Sequence, residues 1–251
     1  TCDTTHSVSH FVLGTFICIG MFVSYLPQHY KIISTASSEG FSPLFLLLGC
    51  LGAWSNVVNI TVLQWDVMRC CTVVSFGTCL EHILGIIQIA VQWLMFVLVF
   101  ILFMIYFPTR KKYIYQAMPR PLEGDGWRTS LLVAVLVTAH FTVCLLTTVL
   151  LLSANGASHS QTRYWAGVMG VFSMFVATVQ YLPQIWKTWC AKTVGALSII
   201  MMMIQTPGSF VFAYTLAARE GTNWTTWITY LVSGCLQGTL LVMCIIWDAR
   251  E

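Results

Sequence analysis

Tyr25-Leu26-Pro27-Gln28, with Lys31 three residues beyond, recurs as Tyr181-Leu182-Pro183-Gln184 with Lys187, at an offset of 156 residues. The same offset pairs Val12 with Val168, Gly14 with Gly170, Val23 with Val179, Ser42 with Ser198 and Gly52 with Gly208, so the chain contains an internal repeat. Each tetrad lies near the end of a long apolar run and is followed by a short polar link into another. A proline inside a helix lacks the backbone donor and presses on the carbonyl four residues back, here Val23 and Val179. Each helix is therefore expected to bend near its end. The adjacent Gln28 and Gln184 are placed to satisfy groups that the bend frees.

Outward from the tetrads the chain is apolar almost throughout. Of its 251 residues 57% are apolar and 8% charged, and the mean hydropathy is +0.78. Soluble domains carry about a quarter charged residues, which their surfaces need. Runs of roughly 20 apolar residues cross a bilayer as helices, and seven are read here: 10–32, 42–64, 81–107, 130–153, 164–189, 196–217 and 224–247. The expected fold class is an all-α membrane protein. A net charge of +3, dispersed along the chain, offers no surface for nucleic acid.

Basic residues near span ends set the orientation. With the link 108–129 in the cytoplasm, Arg110, Lys111, Lys112, Arg120, Arg128, Lys31, Lys187, Lys192 and Arg250 lie inside and Arg69, Arg163 and Arg219 outside, nine against three. The N-terminus is then luminal and the C-terminus cytosolic. No cleavable signal is read before the first span, and the missing initial Met suggests a trimmed start. Cys18, Cys50, Cys144, Cys190, Cys235 and Cys244 fall in or beside spans, where thiols behave as small apolar groups. Cys2, Cys70, Cys71 and Cys79 lie on the luminal side, and one bridge among them is expected, its partners undecided. Asn223-Trp224-Thr225 spells a glycosylation sequon, but it abuts the last span and is read as unmodified.

Polar residues inside spans are the functional candidates, since facing lipid would be costly. Pro43 opens the second span, where proline is tolerated; within it Asn56 and Asn59, three apart, share one face. They serve either as interhelical glue or as a pocket wall. Glu81, Gly85, Gln88 and Gln92 form a stripe in the third span. Glu81 is either a solvated residue at a helix start or, with His82, a proton-coupling group. His140 sits mid-span in the fourth, which has no counterpart in the repeat; a neutral imidazole bonded to a neighbouring helix is preferred over a coupling role. Gln205 lies beside Pro207, and Gln237 lies in the last span among glycines. No metal-ligand spacing, catalytic constellation or cofactor motif is read.

The two tetrads, each followed by Lys and a polar link before Ser42 or Ser198, resemble the signature motifs of the PQ-loop repeat family. The resemblance covers about 10–247. That family includes lysosomal and vacuolar exporters of cystine and cationic amino acids, with the SWEET sugar transporters and KDEL receptors as distant relatives. It implies two parallel three-helix repeats, 10–107 and 164–247, joined by the basic link 108–129 and a linker helix, 130–153. It also implies hinge roles for Pro27, Gln28, Pro183 and Gln184. The proton-coupled exporters carry an intramembrane aspartate after a motif, whereas this chain has Gln205 there, and Ala53 in the first repeat. No acid lies deep in any span.

A cation held in low dielectric without a counter-charge is costly, so a neutral or zwitterionic solute is expected. Coupling to protons, if present, falls to Glu81, His82 or His140. The reading is a transporter of a small polar solute, an amino acid or related metabolite, across a vacuolar or lysosomal membrane. Its pocket comprises Asn56, Asn59, Gln88, Gln92, Gln205 and Gln237, because amides both donate and accept, with Trp54 either its packing wall or an ordinary packing residue. Membrane lipids are its other partners. The alternative is a non-transporting seven-helix cargo or signalling receptor. The lack of a mid-span Lys or Arg counts against a KDEL-like version of it.

Overall fold

In a computed structural model, residues 8–38, 42–107, 127–192, 199–218 and 222–249 are described. Most of the basic link, residues 39–41 and 193–198, and Cys2 lie outside the described residues, as do the side chains of Pro183 and Gln184. The described residues form helices α1 (Val8–Thr35), α2 (Pro43–Leu63), α3 (Trp65–Cys70), α4 (Phe76–Ile105), α5 (Trp127–Asn155), α6 (Ser160–Ala191), α7 (Ile199–Ala217) and α8 (Trp224–Asp248). Among the described residues, six of these helices, α1, α2, α4, α5, α6 and α8, are long and apolar enough to cross a membrane. The seventh expected span, 196–217, overlaps the 19 residues of α7, within which lie Gln205, Thr206, Pro207, Gly208 and Ser209.

Local chemistry moves several boundaries. Ser75 caps α4, accepting from the Thr78 amide at 3.4 Å, so this helix starts five residues before the apolar run suggested. The polar residues of that first turn hid it. Pro27 lies within a continuous α1, and the half-buried Gln28 makes no hydrogen bond to another described residue, so it does not serve the carbonyls the proline frees. Short α3 lies in the loop before α4, and Cys71 is bonded to Cys79 across that loop. Cys70 is disulfide-bonded as well, so the expectation of one bridge is too low. Adjacent cysteines at the end of a helical turn point in different directions and each finds its own partner.

Helix α4 lies between α1 and α2, and α8 lies between α6 and α7. The two groups meet extensively along α2 and α6, with α5 packed on α2, while α1 and α7 touch sparingly. Polarity is inverted relative to a soluble protein. Phe16, Leu132, Val135, Val149 and Leu150 point outward, whereas Ser55, Asn56, Asn59, Gln88 and Thr226 are buried, as lipid requires.

Core apolar packing differs between the two ends. At the end where α1 begins, Ile60, Ile89, Phe212, Ala213, Leu216 and Tyr230 form one cluster that joins both groups, with Ile17 and Met21 of α1 against it. Towards the other end, Ile32, Leu46, Cys50, Val99, Phe100 and Phe103 cluster within the first group and Val133 of α5. Met202, Leu240 and Cys244 cluster within the second.

Candidate functional site

Asn59 is wholly buried and its amide is engaged from three directions. Its Nδ2 donates to the Ala166 carbonyl of α6 at 2.8 Å and to Thr225 Oγ1 of α8 at 3.0 Å. Its Oδ1 accepts from Thr226 Oγ1 at 2.7 Å. Thr225 in turn donates its amide to Asn223 Oδ1, the N-cap of α8. The sequon residues therefore cap a helix. Gly170 lets α6 come this close: a Cβ there would lie 2.7 Å from both Asn59 Nδ2 and the Thr225 carbonyl. Of the two roles open to this asparagine, glue between α2, α6 and α8 is the one its contacts describe.

Gln88 is similarly engaged. Its Nε2 donates to the Gly14 carbonyl of α1 at 2.7 Å, while its buried Oε1 has no partner. In the second group Thr229 of α8 donates to the Gly170 carbonyl of α6 at a long 3.5 Å. Gly14 and Gly170 are 156 residues apart and Gln88 and Thr229 are 141 apart, so the same contact recurs with a shortened loop before the third helix. A second pair obeys the same two offsets. Gln237 Nε2 donates to Gln205 Oε1 at 2.8 Å, where the first group packs the Phe96 ring on Gly49. Four of the six amides thus bond within or between helices, and the two groups differ chemically at one matched position.

The remaining two, Asn56 and Gln92, lie where the groups face each other. Tyr230 faces the Asn56 amide and lies within electrostatic reach of Tyr25. Tyr25 faces Gln92 and lies within reach of Tyr181, its repeat mate. Asn56 and Tyr230 are buried, whereas Tyr25, Tyr181 and Gln92 are only partly covered. Asn56 Oδ1 is buried and accepts no hydrogen bond. The tetrad tyrosines were overlooked beside their prolines and glutamines, although the repeat register flags both. Charged residues of the spanning helices, Lys31, Glu81, Arg128, Arg163, Lys187 and Asp248, all lie towards helix ends.

The other candidates lie elsewhere. His140 Nε2 meets Ser55 Oγ at 3.1 Å, and that hydroxyl donates to the Leu51 carbonyl. The serine hydrogen is committed there, so the imidazole Nε2–H is the donor. This ties α5 to α2. Glu81 and His82 are half-buried in the second turn of α4, away from the facing tyrosines. Trp54 packs against Trp93 and Phe141 at ring separations of 4.9 and 4.4 Å, between α2, α4 and α5. It is a packing residue and not a wall of the tyrosine cluster. A groove of about 610 Å³ lined by Tyr164, Val168, Phe175 and Trp224 is apolar, and none of the six amides lines it.

Comparison with known proteins agrees with the repeat. The family model for the PQ loop repeat matches residues 10–68 and 165–225, one match over each tetrad. An uncharacterized protein of Schizosaccharomyces pombe is 37% identical over 254 residues, which cover 96% of this chain and 81% of the relative. With two family repeats, each containing one of the tetrads Tyr25–Gln28 and Tyr181–Gln184, and apolar helices to carry them, the chain is an integral membrane protein that belongs to the PQ-loop repeat family.

Proposed function

We propose that the protein moves a small polar solute, an amino acid or related metabolite, across a vacuolar or lysosomal-type membrane by alternating access. Two parallel three-helix repeats, α1, α2 and α4 and then α6, α7 and α8, rock about a solute held between them, with α5 as the linker. The N-terminus is luminal and the C-terminus cytosolic, as the basic residues favour. Pro27 and Pro183 flex the ends of α1 and α6 at the cytosolic mouth. The observation that carries the reading is that repeat-related Tyr25 and Tyr181 lie within electrostatic reach of each other where the two helix groups face each other. Among the described residues, shared apolar packing closes this seam at one end only.

Uptake of labelled amino acids and sugars into proteoliposomes, with and without a proton gradient, tests this. Saturable uptake is expected, and a folded Pro27→Leu, Pro183→Leu double variant should lose it. Absence of uptake for every solute, alongside ligand-induced thermal stabilisation, would favour a receptor.

A further inference from the structure

The Asn56 amide at the facing seam is buried and incompletely hydrogen-bonded. It is 2% exposed, and Oδ1 has no partner. An acceptor left this way in low dielectric is costly. Its fellow amide Asn59, one turn along the same helix, is fully bonded. The Tyr230 phenol faces the Asn56 amide and its ring is held edge-on by Phe212, with centroids 4.5 Å apart. Tyr25 lies within electrostatic reach of Tyr230 and of Tyr181 and faces Gln92, and every one of these groups is uncharged. Such a set can hold a hydroxyl or amide group. It offers no counter-charge to an ammonium, a guanidinium or a carboxylate.

We infer that the solute is an uncharged molecule that donates a hydroxyl or N–H hydrogen to Asn56 Oδ1, with Tyr25, Tyr181 and Tyr230 around it. Asn56 is then the residue that sets specificity. The inference rests on the transporter reading, keeps its related-metabolite arm as polyol-like or amide-like solutes, and drops free amino acids, which are zwitterions, along with other ionic solutes. Because its acceptor lacks a partner only when the site is empty, Asn56 lowers the stability of the unliganded protein and raises affinity for the solute.

The test uses the full-length protein in detergent. Thermal unfolding is followed with myo-inositol, glucose and propionamide as uncharged probes, and with glutamine, arginine and glutamate as charged or zwitterionic ones. The same probes, labelled, are offered to proteoliposomes. An uncharged probe should raise the melting temperature while the ionic ones do not. Asn56→Leu should weaken that probe tenfold or more while the unliganded protein melts no lower than the parent. Asn56→Asp, which keeps the acceptor and adds charge, should move preference towards arginine.

A glutamine, arginine or glutamate preference in the parent protein would overturn the inference. So would an Asn56→Leu variant that melts lower yet binds as well, or a lack of stabilisation by all three uncharged probes. Binding of an uncharged probe through Asn56 without uptake would defeat the transporter reading and leave the site standing. Uptake of zwitterions unaffected by Asn56→Leu would do the reverse.

Discussion

Asn59 and Gly170 form a contact that works only as a pair. The amide reaches the Ala166 carbonyl and the Thr225 and Thr226 hydroxyls because α6 presents no side chain at residue 170. Gly170→Ala puts a methyl 2.7 Å from Asn59 Nδ2 and from the Thr225 backbone, where no flexible side chain can give way. Overpacking of this kind costs about 1–3 kcal/mol. Asn59→Leu removes three hydrogen bonds and strands the Thr226 hydroxyl, a penalty of similar size, about 1–3 kcal/mol. Thermal unfolding in detergent should place both variants clearly below the parent. If the Asn59→Leu protein melts as the parent does, the amide is not glue. In the sequence, Asn56 and Asn59 were indistinguishable, two amides on one helix face. What separates them is which neighbour each meets, and those neighbours, Thr226 and Tyr230, are more than 160 residues away along the chain.

Among the elements, the third helix of each repeat shows how far the two copies have diverged. At matched positions the first repeat packs Phe96 on Gly49, and the second bonds Gln237 to Gln205. A Cβ at residue 49 would collide with the Phe96 ring, so the ring requires glycine opposite. Transplanting half of that pair should therefore fail and transplanting all of it should succeed. Gln237→Phe alone should destabilise by about 2 kcal/mol through overpacking and a stranded Gln205 amide. Adding Gln205→Gly should recover most of the loss, apart from about 1 kcal/mol for a glycine within a helix. Equal instability of the single and double variants, measured by chemical or thermal unfolding, would show that the positions are not equivalent.

The helices themselves were legible because lipid demands long apolar runs. Their starts were less so, since Ser75 and Thr78 begin α4 with polar residues that read as loop. The register of the third helix was hidden for a different reason. The loop before α8 is shorter than the one before α4, which shifts the offset from 156 to 141 and leaves Thr229 opposite Gly170 with no letter in common with Gln88. Tyr25 and Tyr181 carried the strongest signal in the sequence, yet their meeting depends on how the groups dock, which repetition alone does not fix.

In the molecule as a whole, the two helix groups are held together asymmetrically, and accessibility follows from that asymmetry. One apolar cluster, with Phe212, Leu216 and Tyr230 from one group and Ile60 and Ile89 from the other, seals the seam at the end where α1 begins. Towards the opposite end, the described apolar clusters stay within their own group or reach α5. Tyr25 and Tyr181 lie on that side of the seal and remain partly uncovered. A membrane-impermeant maleimide should therefore reach Tyr181→Cys from the face where α1 ends and not from the face where it begins. The background would replace the six free cysteines, Cys18, Cys50, Cys144, Cys190, Cys235 and Cys244, and keep the disulfides. Met21→Cys, packed against the seal, should react slowly from either face. Shrinking the seal with Phe212→Ala removes a ring from it, and labelling of Tyr181→Cys from the second face should then rise severalfold, because the sealing contact has lost one of its aromatic members. Equal labelling from both faces in the parent background would mean that the cluster does not close the seam. The same reagent applied to sealed vesicles of known sidedness also reports which face is cytosolic, and the nine-to-three distribution of basic residues assigns it to the face where α1 ends.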